Sequence, residues 1–122
     1  MYKPFDIVIT PFPFVDELGK FKYRPALAIS SEEYSKSTNC TVFLMITSAK
    51  NSDFPNDYKI QDYSNTNLQG DCIVRFKIFT LDNSILKNKI GELNEIDKKN
   101  VMKILENSLC KDLTSISKKF KA

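Results

Sequence analysis

The stretch Thr41-Val-Phe-Leu-Met-Ile-Thr-Ser48 is a nearly continuous apolar run of strand length, and it decides the fold. Such a run is typical of a strand buried on both faces, whereas a half-exposed strand alternates apolar and polar residues. We therefore expect it at the centre of a sheet, with neighbouring strands supplied by the sequence on either side.

Four flanking segments have strand character, namely residues 6–14 (DIVITPFPF), 23–30 (YRPALAIS), 58–61 (YKIQ) and 72–79 (CIVRFKIF). Their β-branched and aromatic residues favour strands. The prolines at 11 and 13 indicate an edge or the exit of the first strand, and the proline at 25 indicates an edge position or a bulge. Polar, turn-rich sequence predicts loops over residues 15–21 and 49–70 and a turn over residues 81–84. A short strand or helical turn is expected within residues 80–93.

The only long helical period lies near the C terminus, where Asn94 is suited to be the N-cap and Asp97 follows three residues later. The predicted helix has one apolar and one lysine-rich face. Its apolar positions are Ile96, Val101, Ile104, Leu105, Leu109, Leu113 and Ile116. We expect this face to pack on the core and residues 115–122 to fray. Strands followed by one closing helix predict a small antiparallel, barrel-like sheet with a helix packed on it.

The chain has 122 residues, so we expect a single domain over residues 1–122. Its apolar runs are far shorter than the roughly 20 residues that cross a bilayer, and the N terminus lacks the pattern of a secretory signal peptide. Cys40, Cys72 and Cys110 form no CxxC pair that would open a zinc or redox site. These features predict a cytoplasmic protein without a membrane segment, a metal or another cofactor.

Histidine is absent, which excludes the residue that most often moves protons near neutral pH. The net charge of +3 is unevenly distributed, because residues 98–122 carry seven lysines against two acidic residues. Overall basicity therefore locates no binding groove. The only arginines are Arg24 and Arg75, and a guanidinium offers a planar fork of donors suited to phosphate. These two positions are the first candidates for contacts with an anionic substrate.

A set of short motifs runs along most of the chain. They are Asp6-Ile-Val8, Pro11-Phe-Pro-Phe14, Gly19, Arg24-Pro-Ala-Leu-Ala-Ile-Ser30, Ile46-Thr-Ser48, Gly70-Asp-Cys-Ile-Val-Arg75, Phe79-Thr-Leu-Asp82 and Ile90-Gly-Glu-Leu93. In order and spacing they resemble the PemK/MazF-type toxins of bacterial toxin–antitoxin modules. The chain departs from that pattern at Phe5, where glycine is usual, and at Cys72, where serine is common. The first departure predicts that backbone room is lost at that turn or that the first strand starts differently.

The resemblance implies a mainly β (α+β) fold, a small SH3-like antiparallel β-barrel with a C-terminal helix of the CcdB/MazF/PemK type. It implies a type II toxin that acts as an endoribonuclease on single-stranded RNA, namely mRNA. It also implies a homodimer whose RNA groove is occupied by a cognate antitoxin.

Metal-independent RNA cleavage uses the ribose 2′-hydroxyl as internal nucleophile and leaves a cyclic phosphate and a free 5′-hydroxyl. The protein must align that hydroxyl, stabilise charge on the phosphorane oxygens and manage two protons. By the resemblance, Arg24 and Thr47 are the catalytic residues. The Arg24 guanidinium places two donors on the phosphate. The Thr47 hydroxyl donates to the same phosphate or orients the 2′-hydroxyl, with Ser48 as the alternative hydroxyl.

Six further residues are predicted to contact RNA: Phe14, Asp16, Glu17, Phe21, Tyr23 and Arg75. The two carboxylates are candidates for the general base, or they are solvated loop residues. The aromatic side chains stack on bases, a contact worth on the order of 1–3 kcal/mol each, or they pack in the core. Arg75 contacts a phosphate or a base edge, or it is a sheet-face residue in an ion pair.

Structural alternatives also exist for the two catalytic candidates. Arg24 would form a surface ion pair with Asp16, Glu17 or Asp71, and Thr47 would be an ordinary β-branched strand residue. Two alternative functions also remain open. One is a non-catalytic toxin of the same fold that binds a protein target such as a topoisomerase, and the other is a plain nucleic-acid-binding barrel.

Overall fold

A computed structural model describes residues 1–11, 22–51 and 53–120 of the chain. Six strands form one sheet: β1 (Asp6–Pro11), β2 (Tyr23–Ala28), β3 (Cys40–Ser48), β4 (Tyr58–Lys59), β5 (Cys72–Asp82) and β6 (Asn88–Glu92). Their order across the sheet is β4-β5-β3-β2-β1-β6, and every pairing in it is antiparallel. The apolar run quoted first is β3, which lies inside the sheet between β5 and β2, as predicted.

The sheet with its C-terminal helix confirms the predicted α+β fold class. Among the described residues, the edge strands β4 and β6 do not pair with each other, so the sheet is an open, barrel-like one rather than a closed barrel. Several strands differ in length from the prediction: β2 ends at Ala28 instead of residue 30, and β4 ends at Lys59 instead of residue 61. β5 continues to Asp82, and the turn that we placed at residues 81–84 is a 3₁₀ turn over Asn83–Ile85.

The sheet carries a cluster of buried side chains on each face, because successive residues of a strand point to opposite sides. The first cluster includes Ile7, Leu27, Leu44, Ile46, Val74, Leu93 and Val101. The second consists of Val8, Ala26, Ala28, Phe43 and Phe79. The C-terminal helix contributes Val101 to the first cluster and therefore covers that face.

A short helix that the sequence analysis did not predict, α1 (Glu32–Thr38), links β2 to β3. Ser31 caps its first turn, since its hydroxyl accepts a hydrogen bond from the Tyr34 amide at 3.0 Å. Asn39 ends it in the left-handed conformation with φ of 57°. Both capping signals are present in the sequence, and only the shortness of the helix hides its period.

The C-terminal helix begins as predicted after Asn94 and has three parts: α2 (Glu95–Leu105), a π turn (Glu106–Cys110) and α3 (Lys111–Phe120). The Asn94 side chain makes no capping hydrogen bond. Its amide instead donates to the backbone carbonyls of Asp62 and Ser64. The helix continues to Phe120, so the prediction that residues 115–120 fray is wrong, while residues 121–122 lie outside the described part.

The prediction of one continuous core-packing face is wrong at Ile96 of α2, which is 45% exposed, and again beyond α2. Val101 is fully buried, whereas Leu113 and Phe120 of α3 are 65% and 81% exposed. Every described residue from Glu106 to Phe120 is exposed, so the helix extends past the core from the π turn onward. Its apolar positions there form an exposed stripe, which we call the α3 stripe: Leu109, Leu113, Ile116 and Phe120.

Phe5 adopts the left-handed conformation, with φ of 74°. This is the backbone region that glycine enters most easily, so the local turn is kept although the side chain is larger. The Phe5 amide donates to the Ala28 carbonyl at 2.7 Å, and the Phe5 carbonyl accepts from the Leu93 amide at 3.1 Å. These two bonds tie the start of β1 to the ends of β2 and β6.

Across the described ranges, no helix combines the length and apolarity needed to cross a membrane.

Candidate functional site

The register of the central strands places Arg24 and Thr47 on the same face of the sheet. Ala26 of β2 pairs with Met45 of β3. The pairing of β2 with β3 ends at this pair, and its register continued by two residues along each strand brings Arg24 across from Thr47. Because side chains two residues apart share a face, both side chains lie on the face of the second cluster. The sheet thus brings together the two predicted catalytic residues, which are 23 positions apart in the sequence.

The neighbours of this pair are polar on one side and apolar on the other. Thr10 of β1 pairs with Arg24, and its buried hydroxyl donates to the Arg24 carbonyl at 3.3 Å. Thr47 is 6% exposed and pairs with Ile73 of β5. Arg24 itself is half-buried. A buried hydroxyl and a partly exposed guanidinium on one face form a site that an anion can approach from solvent.

Arg75 lies on the same face, because it pairs directly with Met45. Its guanidinium forms a bidentate ion pair with the Asp57 carboxylate, in which Nε donates to Oδ1 at 3.1 Å and Nη2 donates to Oδ2 at 2.9 Å. Both side chains are mostly buried, 13% and 11% exposed. This ion pair raises the pKa of Arg75. The ion pair foreseen as one alternative for Arg75 is therefore present, and its contact with RNA stays a prediction.

Asp57 is a residue that the sequence analysis did not single out. It follows a turn in which Asn56 has φ of 67°, and its carboxylate also accepts from the Phe54 amide at 3.3 Å. The Phe54 ring lies 5.5 Å from the Arg75 guanidinium carbon. Only turn-forming residues mark this position in the sequence, so no local signal indicates that the turn folds onto Arg75.

Ser48 and Tyr23 occupy the strand positions next to the catalytic candidates, and alternation turns them away from that face. Ser48 is exposed, and its hydroxyl accepts from the Lys50 amide at 3.3 Å. Tyr23 is 56% exposed, and the Lys87 ammonium lies 4.5 Å from the centre of its ring.

Four predicted site residues, Phe14, Asp16, Glu17 and Phe21, lie outside the described residues. The third carboxylate considered as a partner of Arg24, Asp71, lies 3.6 Å from the Lys59 ammonium. In the part of the chain that the structure describes, no group of His, Cys, Asp or Glu side chains is arranged to hold a metal ion.

A second polar cluster, absent from the sequence predictions, surrounds Asp97 of α2. This carboxylate is fully buried and accepts from the Tyr58 hydroxyl at 2.6 Å, the Gln61 amide at 2.9 Å and the Asp62 amide at 3.0 Å. The Asn100 amide donates to the same Tyr58 hydroxyl at 2.9 Å. Desolvation and the bond to Asp97 raise the pKa of Tyr58. Both Asp97 oxygens accept hydrogen bonds, and these bonds connect β4 and the segment after it to α2.

Comparison with protein families places this fold and site in a known group. Residues 3–109 match the family of PemK-like, MazF-like toxins of type II toxin–antitoxin systems. The chain belongs to this family. The match covers all six strands and α2, so the resemblance noted from the motifs is confirmed over most of the chain.

Solved structures of family toxins have the same architecture. A mycobacterial endoribonuclease in complex with its cognate antitoxin is 15% identical, with a TM-score of 0.70 over 89% of this chain and 95% of that one. MazF of Deinococcus radiodurans is 18% identical, with a TM-score of 0.67 over 88% and 96%. Toxin MazF-mt6 of Mycobacterium tuberculosis is 18% identical, with a TM-score of 0.65 over 84% and 93%. A comparison with curated protein sequences found no match.

Proposed function

We propose that this PemK/MazF-family toxin is a metal-independent endoribonuclease that cleaves single-stranded RNA, with mRNA as its target. The observation that carries the proposal is the register that sets Arg24 opposite Thr47 on one face of the sheet. A toxin that only bound a protein target would have no need of this pair. The endoribonuclease named among the structural relatives supports the same chemistry.

In the proposed reaction the 2′-oxygen attacks the adjacent phosphorus, and the bond from phosphorus to the 5′-oxygen breaks. Negative charge builds on the non-bridging oxygens of the phosphorane. The Arg24 guanidinium donates to these oxygens and stays charged at any working pH. The Thr47 hydroxyl donates to the same group or orients the nucleophile.

Two protons move in this reaction. The 2′-hydroxyl loses one to a base, and the departing 5′-oxygen gains one. Asp16 and Glu17, which precede Arg24 in the chain, are the proposed acceptors. Asp57 is a weaker candidate, because the Arg75 fork already occupies both of its oxygens.

The test is cleavage of single-stranded RNA in excess chelator, with the new ends analysed for 2′,3′-cyclic phosphate and 5′-hydroxyl groups. The Arg24→Ala variant should lose about 10³-fold in rate, because it lacks the donors that act in the transition state. The matched control is Lys59→Ala, which removes an exposed strand cation near Asp71 and should leave the rate unchanged.

Full activity of Arg24→Ala would overturn the site assignment. Intact RNA with the wild-type toxin would overturn the nuclease proposal. Tight binding of a protein such as a topoisomerase would then favour the non-catalytic toxin, and salt-sensitive RNA binding without cleavage would favour a plain nucleic-acid-binding barrel.

We further propose that the toxin is a cytoplasmic homodimer that a cognate antitoxin inhibits. The α3 stripe supports a second copy, because an isolated helix of this length is marginal in water and its apolar side chains are exposed. Leu113→Lys should shift the molar mass measured by light scattering from dimer to monomer. Lys111→Ala, on the same helix, should leave the mass unchanged, and a Leu113→Lys dimer would contradict this role of the stripe.

A further inference from the structure

We propose that a hollow at the end of β1 and β2 binds one nucleotide of single-stranded RNA, with the base beside Tyr23 and a phosphate at Lys87. This inference rests on the proposed function, since the hollow is a subsite for the same substrate. It adds Lys87 to the predicted RNA contact at Tyr23, and it places both in a defined hollow whose lining includes Pro11 and Leu81 of the family motifs.

The hollow has a volume of about 740 Å³. Its lining residues are Pro11, Tyr23, Leu81, Ser84, Ile85, Leu86 and Lys87. Most of these side chains are apolar, and Tyr23 and Ile85 are 56% and 49% exposed. A flat apolar group can therefore enter from solvent and cover surface that now faces water.

Charge and aromatic character decide which ligand fits this hollow. The Lys87 ammonium lies 4.5 Å from the centre of the Tyr23 ring, a cation–π contact that holds the cation at the rim. The hollow combines the exposed Tyr23 ring, an apolar lining and the Lys87 ammonium. This combination suits a nucleobase that carries a phosphate. Unpaired bases stack on aromatic side chains, and lysine pairs with the backbone of the strand.

The hollow also has the right position for an RNA strand that reaches the catalytic pair. Tyr23 directly precedes Arg24, about 3.3 Å along the strand, and its side chain points to the other side of β2. Leu81 and Leu86, which line the same hollow, pack against the second cluster on the face that carries Arg24, so the hollow extends around the end of β2 to that face. A nucleotide held in the hollow is therefore a neighbour of the nucleotide whose phosphate Arg24 contacts.

The experiment measures binding of a fluorescent, random-sequence 2′-O-methyl RNA 12-mer to the full-length toxin by anisotropy at several salt concentrations. The blocked 2′-oxygen prevents cleavage. Tyr23→Ala should weaken binding roughly 5- to 100-fold, the usual effect of losing one stacked base, while Tyr23→Phe retains the ring and the affinity. Lys87→Met should weaken binding and reduce the salt slope by about 0.7, while Lys87→Arg restores both.

Two further measurements make the outcome decisive. Lys103→Met, which removes an exposed lysine of α2, should leave affinity and salt slope unchanged. RNA carrying 4-thiouridine should crosslink to a peptide that contains Tyr23 or residues 81–87.

Wild-type affinity in both Tyr23→Ala and Lys87→Met, with crosslinks elsewhere, would overturn the subsite even if the wild-type toxin cleaves RNA. Failure of the wild-type toxin to bind and cleave RNA would overturn the proposed function as well. If the two variants lose antitoxin binding but keep RNA binding, the hollow is a protein contact and the inference is wrong.

Discussion

Two polar clusters of this molecule, one around Asp97 and one around Arg24, differ in their access to solvent. Asp97 is fully buried, and three donors from β4 and the segment after it bind its two oxygens. Arg24 is half-buried at the start of β2, on the face where Thr47 carries its hydroxyl. One cluster is closed to ligands, and the other is reachable from solvent.

Burial and hydrogen bonding distinguish a structural role for Asp97 from a functional role for Arg24. A buried carboxylate that is fully hydrogen-bonded contributes to folding, because its removal leaves buried donors without partners. Arg24 is only half-buried, so a ligand can reach its face of the sheet from solvent. The comparison predicts that changes at Asp97 act on stability and that changes at the Arg24 face act on catalysis.

The largest expected effect on stability is that of Asp97→Ala. It should lower the free energy of unfolding by about 3–5 kcal/mol, since it leaves the Tyr58 hydroxyl and the Gln61 and Asp62 amides without their acceptor. Urea denaturation of the purified protein measures this loss. Asp97→Asn should lose less, because one carbonyl oxygen remains to accept. A variant as stable as the wild type would contradict the structural role of the cluster.

The next prediction concerns catalysis at the Arg24 face and tests Thr47. Thr47→Val keeps the shape of the side chain and removes its hydroxyl, so RNA cleavage should fall by about 10²-fold. The free energy of unfolding should change by no more than about 1.5 kcal/mol. Thr47→Ser is the matched control that retains the hydroxyl and most of the rate. If Thr47→Val does not fold, or if it cleaves RNA at the wild-type rate, the assignment of a catalytic role to the Arg24 face is wrong.

The sequence predicted the strands well because their signals are local. The apolar run of β3 and the Asn94 boundary are set by neighbouring residues, and both appear where the pattern puts them. Asp97 shows the limit of such signals. Its spacing from Asn94 is typical of a capping box, yet its carboxylate binds residues 35 to 39 positions earlier.

The site itself depends on contacts that no local pattern encodes. Arg24 and Thr47 were named from the family motif, but only the sheet register shows that they share a face. The partnership of Arg75 with Asp57 depends on a turn folding back on β5, 18 residues away in the chain. The α3 stripe is exposed because the helix extends past the core after α2, and helical periodicity in the sequence does not show where the core ends.

A smaller effect on stability is expected for Tyr58, which donates to the Asp97 carboxylate. Tyr58→Phe removes one of the three donors to the carboxylate and leaves the two backbone amides in place. Because a hydrogen bond to a charged group contributes about 1.5–3 kcal/mol, unfolding should become easier by that amount near neutral pH. RNA cleavage at a temperature where both proteins are folded should be unchanged. A rate loss without a stability loss would assign Tyr58 to the site instead.

The smallest expected effect is the pH dependence of the stability difference between the wild type and Tyr58→Phe. The folded-state pKa of Tyr58 is raised above its ordinary value of 10.0, first by burial and then by the bond to Asp97. Folding therefore favours the protonated phenol, and its contribution is complete below pH about 10 and is lost as pH rises through the raised pKa. The stability gap between wild type and Tyr58→Phe should be constant from pH 7 to 9 and shrink above pH 10. The two proteins differ only at residue 58, so the stability gap isolates the contribution of the Tyr58 hydroxyl. A gap that widens with alkaline pH would show that the Tyr58 hydroxyl favours the ionised form, against the geometry of the Asp97 cluster.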